Sequence, residues 1–183
     1  MDTLIENAGK LLASEQAENI DKAFETLRKL DVAHIPKSLY SDLSEHPLKC
    51  FEYNMIEPLK HLKELDLQGS KLNEVPKAIA QLTKLQFLYL HDNNINEVPS
   101  SIGFLSDLIW LDLERNNLKV LPAEIGRLKN LHRLNLSFNQ LNVLPVEIGQ
   151  LSQLQSLYLD GNRFSAPERQ RIQQSLPKTE IYF

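Results

Sequence analysis

Apolar and polar positions alternate along the middle of the chain in a phrase that returns every 23 residues. Leucines at 62, 85, 108, 131 and 154 each open it. The inner positions follow in register as Leu65, Leu88, Leu111, Leu134 and Leu157, then Leu67, Leu90, Leu113, Leu136 and Leu159. Leucines two apart with polar residues between them predict short strands that turn leucine inward and the alternate residues outward. An amide follows each strand at Asn93, Asn116, Asn139 and Asn162, with Ser70 in the first unit. An Asn side chain there can satisfy backbone groups of the turn and of the neighbouring coil. Val75-Pro76, Val98-Pro99, Leu121-Pro122 and Leu144-Pro145 come next. Proline suits entry to a short helical turn and not a second sheet strand. Ile79, Ile102, Ile125 and Ile148, then Leu82, Leu105, Leu128 and Leu151, supply apolar groups from that second side. One such unit cannot bury its own apolar face, so the units must stack.

This phrase resembles the leucine-rich repeat family, of the 23-residue type with Pro after the loop, over residues 62–163. The resemblance implies an α/β fold: a right-handed leucine-rich-repeat solenoid with a parallel concave sheet, short convex helical turns and a helical N-terminal cap. The chain looks like the intracellular Ras-suppressor-like and bacterial members of the family, not the extracellular ones with Cys-rich caps. Ser70 departs from the Asn pattern, so the amide ladder is expected to be weaker in the first unit.

The ends of a stack expose apolar core unless something covers them. Residues 1–47 read as a helical N-terminal cap region. Leu4, Ala8, Leu11 and Leu12 form one stripe, with Thr3-x-x-Glu6 as a capping box. Ile20, Ala23, Phe24, Leu27 and Leu30 form another, with Asn19 as the start of the second helix. Residues 48–61 (Leu48, Phe51, Tyr53, Ile56, Leu59) read as a degenerate capping repeat feeding into five repeats at 62–163, the last truncated. Residues 164–183 read as a cap helix from Pro167 to about Ser175, then a final edge strand in which Ile181 and Phe183 alternate. That tail resembles the terminal segment of bacterial repeat proteins, including ones from intracellular pathogens.

Repeat proteins bind mainly through the concave sheet, on the variable positions between the inward leucines. Those positions form columns across strands about 4.8 Å apart. One column reads Glu64, Phe87, Trp110, Arg133, Ser156; the next reads Asp66, Tyr89, Asp112, Asn135, Tyr158. A third reads Gln68, His91, Glu114, Ser137, Asp160, and a fourth Gly69, Asp92, Arg115, Phe138, Gly161. Phe87, Trp110 and Tyr89 are expected as exposed neighbours, the usual kind of interface anchor. Phe138 is expected to pack locally. The acidic groups Glu64, Asp66, Asp92, Asp112, Glu114 and Asp160 outnumber Arg115 and Arg133 in these columns, which favours a basic partner. The expected site therefore comprises Glu64, Asp66, Phe87, Tyr89, His91, Trp110, Asp112, Glu114, Arg133 and Tyr158, binding a protein or basic peptide. Five strands span only about 19 Å, so a short peptide fits better than a globular domain.

Composition narrows the alternatives. The 183 residues carry 20 basic and 24 acidic groups, a net charge of −4. The first 61 residues hold 11 acidic against 7 basic groups, and so most of the excess. Such a balance counts against a phosphate-gripping nucleic-acid binder. Cys50 is the only cysteine. It can form no internal disulfide, provides no Cys-based zinc site, and points to a reducing, cytoplasmic setting. Asp2 and Glu6 stand where a signal peptide needs positive charge, and no apolar run approaches the roughly 20 residues that span a bilayer. The chain reads as a monomer without cofactor or membrane contact.

His34, His46, His61, His91 and His132 lack metal-ligand spacing, and there is no GxSxG, P-loop or GxGxxG followed by a helix. The pair His91/Glu114 is the one candidate for hydrolase-like acid–base chemistry. Some similar pathogen repeat proteins carry a cysteine-dependent ubiquitin-ligase domain, but Cys50 beside Phe51 reads as a structural, buried thiol. The expectation is a non-enzymatic protein–protein interaction module. A bacterial effector binding a host protein is the alternative, and it rests on the resemblance of repeat type and tail.

Overall fold

The computed structural model describes residues 2–14, 16–30 and 35–183, so His34 lies outside the described residues. The chain falls into two compact units, Met1–His61 and Leu62–Phe183.

The first unit is helical. Helix α1 spans Asp2–Leu12 and α2 spans Ala17–Arg28, followed by α3 (Tyr40–Ser44) and α4 (Pro47–Glu52). Ala8, Leu12, Ala23, Phe24, Leu27, Leu43, Cys50 and Leu59 form its core. Four details differ from the sequence reading. Thr3 lies inside α1, so no capping box forms there, and Glu6 instead accepts from Lys10 at 2.7 Å. Leu4 stays exposed rather than joining the apolar stripe. Helix α2 starts at Ala17 with Gln16 as its N-cap, and the Asn19 amide donates back to the Gln16 side chain at 3.2 Å. Residues 48–61 hold the end of α4 and a 3₁₀ turn at Glu57–Leu59, with no strand of a degenerate repeat. The Cys50 thiol is buried, donates to the Leu43 carbonyl at 3.2 Å, and is pushed up to about 12 by burial. A thiol so placed is structural and unreactive.

The second unit is a parallel sheet of six three-residue strands in sequence order. They are β1 (Glu64–Asp66), β2 (Phe87–Tyr89), β3 (Trp110–Asp112), β4 (Arg133–Asn135), β5 (Ser156–Tyr158) and β6 (Glu180–Tyr182). Leu65, Leu88, Leu111, Leu134, Leu157 and Ile181 stand opposite one another across all five pairings. The sheet thus carries the 23-residue period directly into space. Each proline is followed by a 3₁₀ turn, at Lys77–Gln81, Ser100–Phe104, Ala123–Arg127 and Val146–Gln150. The isoleucine of every turn is fully buried against the leucines of the strands.

The asparagines bind one unit to the next. Asn116 donates to the carbonyls of Leu90 (2.9 Å), Leu113 (3.1 Å) and Glu114 (3.2 Å), and accepts from the Ile95 amide at 2.9 Å. Asn93, Asn139 and Asn162 repeat this pattern in their own units. The residue before the amide adopts left-handed backbone in every unit: Gly69, Asp92, Arg115, Phe138 and Gly161 have φ between 50° and 69°. Three of those five are not glycine, so the ladder holds non-glycine residues where they are normally disfavoured.

The last apolar layer is closed by α5 (Ala166–Ser175), whose N-cap is Ser165. Glu168 accepts from the Leu144 amide at 3.0 Å, while Arg171 bridges Glu168 (2.6 Å) and the Leu144 carbonyl (2.7 Å). This clamp fixes α5 to the preceding turn. Ile181 continues the leucine register, but Phe183 lies beyond β6 and packs edge-on against Phe164.

Candidate protein-interaction site

The variable columns stand in register on one open face. Glu64, Phe87, Trp110, Arg133 and Ser156 align strand to strand, and β6 extends the row with Glu180. Beside them run Asp66, Tyr89, Asp112, Asn135 and Tyr158, extended by Tyr182. Six strands at about 4.8 Å give a span of about 24 Å.

The aromatic residues are half-buried rather than freely exposed. Tyr89 packs edge-on to Trp110 with ring centroids 5.5 Å apart, and His91 lies edge-on to Tyr89 at 6.3 Å. Phe87 pairs with Trp110 in register and shares with it a cavity of about 200 Å³. On the other side of Trp110 the Arg133 guanidinium sits 5.3 Å from the ring centre. Tyr158 belongs to a second group, stacked on Tyr182 with centroids 4.9 Å apart. Phe138 packs locally, against Gly161 and under the Arg115 guanidinium at 5.2 Å.

The acidic field is narrower than the columns imply. Glu114 is engaged by Arg115 at 2.8 Å and by the Asn135 amide at 3.0 Å, so it and Arg115 neutralise each other. Glu64, Asp66 and Asp92 are the exposed carboxylates. Asp112 is only 8% exposed. One of its oxygens accepts from the Glu114 amide at 3.0 Å, and the other lies 4.0 Å from His91 Nδ1, too far for a hydrogen bond. The proposed acid–base couple therefore does not form: His91 faces Asp112, while Glu114 is held by Arg115. His91 Nδ1 and Trp110 Nε1 are buried without hydrogen-bond partners. Among the described residues no group of three or more His, Cys, Asp or Glu could hold a metal ion, and no helix is long and apolar enough to cross a membrane.

Burial raises the Asp112 carboxyl above its usual range, against the lowering effects of the Glu114 amide, His91 and Asn135. Burial likewise raises the Tyr89 hydroxyl, helped by the charges of Glu64, Asp112 and Asp66. A carboxyl that holds its proton more tightly folded than unfolded favours the native state at low pH. That contribution is lost as pH rises through the raised value. Asp112→Asn keeps an acceptor for the Glu114 amide and removes the charge. It is expected to raise the urea midpoint at neutral pH and to leave it nearly unchanged at pH about 3, where both residues are neutral. A lower midpoint at neutral pH would show the charge to be stabilising.

A stack of strand-and-turn units with one open, side-chain-bearing sheet face defines a repeat solenoid. The chain belongs to the leucine-rich repeat family: a leucine-rich repeat region profile matches residues 12–117, and a leucine-rich repeat profile matches residues 106–164. Domains of this family are protein-interaction modules. Among solved structures, a leucine-rich repeat protein of Leptospira interrogans is 47% identical over 69% of this chain and 32% of its own, with a TM-score of 0.66. An internalin of Listeria monocytogenes, InlF, is 25% identical over 69% of this chain and 37% of its own, with a TM-score of 0.56. A second Listeria internalin, C2, shares the fold with a TM-score of 0.58, at 24% identity over 70% of this chain and 53% of its own. The chain therefore spans about a third of the length of the first two proteins and half of the third. No curated protein matches it in sequence.

Proposed function

We propose that the chain is a non-enzymatic binding module that takes a basic segment of a partner protein across the concave sheet. The Tyr89–Trp110 pair anchors the segment, and Asp66, Glu64 and Asp112 receive its positive charge. The observation that carries this reading is Asp112. It is a desolvated carboxylate beside two aromatic rings, with no cation within hydrogen-bonding distance among the described residues. Such a group costs stability in the free protein, and a partner cation brought alongside it recovers that cost. The module acts as a cytoplasmic monomer.

Trp110→Asp tests the site. It is expected to weaken partner capture about 30-fold or more, the scale of an interface anchor, with far-ultraviolet circular dichroism unchanged. The readout is a pull-down with mass spectrometry from the producing cell's lysate and from a eukaryotic lysate. A partner held equally by the folded variant would remove function from the concave face. The similarity to Leptospira and Listeria repeat proteins favours a second reading, a bacterial effector directed at a host protein. A partner found only in the eukaryotic lysate, with delivery of the chain in a secretion assay, would choose that reading; absence of delivery would discard it.

A further inference from the structure

The concave face carries opposite charges three strands apart, on β1 and β4, and a second carboxylate, Glu180, stands on β6. In the row that crosses the strands, Glu64 stands on β1, Phe87 on β2, Trp110 on β3 and Arg133 on β4, each opposite the next. The Glu64 carboxylate and the Arg133 guanidinium are three strand spacings apart, about 14 Å, with two aromatic residues between them. Asp66 and Asp92 strengthen the acidic end and are themselves exposed.

The cationic end is uncommitted. Arg115, the other arginine of these columns, is paired with Glu114 at 2.8 Å, whereas among the described residues no carboxylate lies within 4.0 Å of Arg133. Arg133 lines the cavity of about 200 Å³ together with Phe87, Ile109, Trp110, His132 and Gln155. His132 is oriented there by Nδ1, which donates to the Asn130 carbonyl at 2.7 Å. The Arg133 guanidinium carries only donors. The apolar faces of Phe87, Ile109 and Trp110 beside the Arg133 guanidinium suit an apolar side chain next to a carboxylate, which can accept two parallel bonds from a guanidinium.

We infer that the cavity beside Trp110 recognises a carboxylate adjacent to an apolar side chain, so that the partner segment is dipolar rather than uniformly basic. The inference rests on the concave face being the binding face, and it adds a polarity to that reading. An extended chain advances about 3.3 Å per residue. A segment that reaches both ends therefore places its basic residue about four positions from its acidic one.

The test is selection of random short peptides displayed on phage against the immobilised full chain, with the Arg133→Gln and Trp110→Asp chains selected in parallel. Arg133 is exposed, so its variant is expected to keep the native circular dichroism spectrum. The wild type is expected to enrich peptides with Asp or Glu beside Leu, Ile or Phe, and Lys or Arg about four positions away. Arg133→Gln should keep the basic preference and lose the acidic one. The best peptide and its Glu→Gln or Asp→Asn form are then titrated through the fluorescence of Trp110, the chain's single tryptophan. The amide form is expected to bind the wild type about tenfold more weakly, and both forms equally to Arg133→Gln. Enriched peptides that are basic without an acidic residue, or equal affinity of the two forms for the wild type, would overturn the inference and leave the basic-segment reading standing. No enrichment by the wild type over Trp110→Asp would overturn both.

Discussion

Replacing Asn116 by alanine is expected to lower the unfolding free energy by about 2 kcal/mol, because it unpairs a buried backbone donor. The Asn116 side-chain oxygen is the acceptor for the Ile95 N–H of the preceding unit, while its amide donates to the Leu90, Leu113 and Glu114 carbonyls, which also accept from Asn93, Asn139 and the Asp92 N–H. Asn116 is 6% exposed, so water cannot simply replace these bonds. The Ile95 N–H, left unpaired, costs about 1–3 kcal/mol. Because the fold is a stack, the loss also weakens coupling between the units on either side. The urea transition should broaden as well as move to lower concentration. An unchanged midpoint would mean that the ladder contributes nothing beyond what solvent supplies. Ser70 occupies the same position in the first unit, so Ser70→Ala should cost far less.

The second large effect is expected at Gly126. A Cβ added there would lie 2.5 Å from the Glu147 carbonyl oxygen and 2.8 Å from the Glu147 Cβ. Both obstacles belong to the next 3₁₀ turn (Val146–Gln150), and the nearer is backbone. The turns must separate to make room, which opens the leucine layer beneath them. Overpacking of this kind costs about 1–3 kcal/mol, and Gly126→Ala should fall at the upper end. Gly149 is the control at the equivalent position. Its nearest obstacle is the Ser175 carbonyl oxygen at 3.3 Å, so Gly149→Ala should lose much less. Equal midpoints for the two variants, measured by urea denaturation, would refute the steric argument. The first turn carries Ala80 at this position, so the requirement for glycine arises where the following turn stacks closely.

The same contrast shows what the sequence makes legible. The 23-residue phrase, the strand positions and the columns follow from leucine spacing alone, because a period-two strand repeated at one interval can stack in only one register. Phe87, Tyr89 and Trp110 could be placed together on that basis. Asp112 could not be recognised as buried, since Asp66 and Asn135 of the same column are more exposed. Its burial comes from the size of the Tyr89, Trp110 and His91 side chains around it. Nor could Glu114 be seen as spent on Arg115 and Asn135, because a column assigns neighbours without assigning rotamers. The Glu168–Arg171 clamp on Leu144 was likewise invisible: a Glu and an Arg three apart on a helix are ordinary, and only docking makes them reach a backbone 24 to 27 residues away.

The family, the order of the strands, the inward leucines and asparagines, and the set of side chains on the open face all follow from the 23-residue spacing. These are consequences of periodicity, and periodicity survives any local adjustment of the chain. The tertiary structure decided which charges on that face remain free, which carboxylate loses its water, and where a cavity opens beside Trp110. Those outcomes depend on side-chain volume and direction at distances of 3–5 Å, where one rotamer decides whether a carboxylate meets an arginine, an amide or nothing.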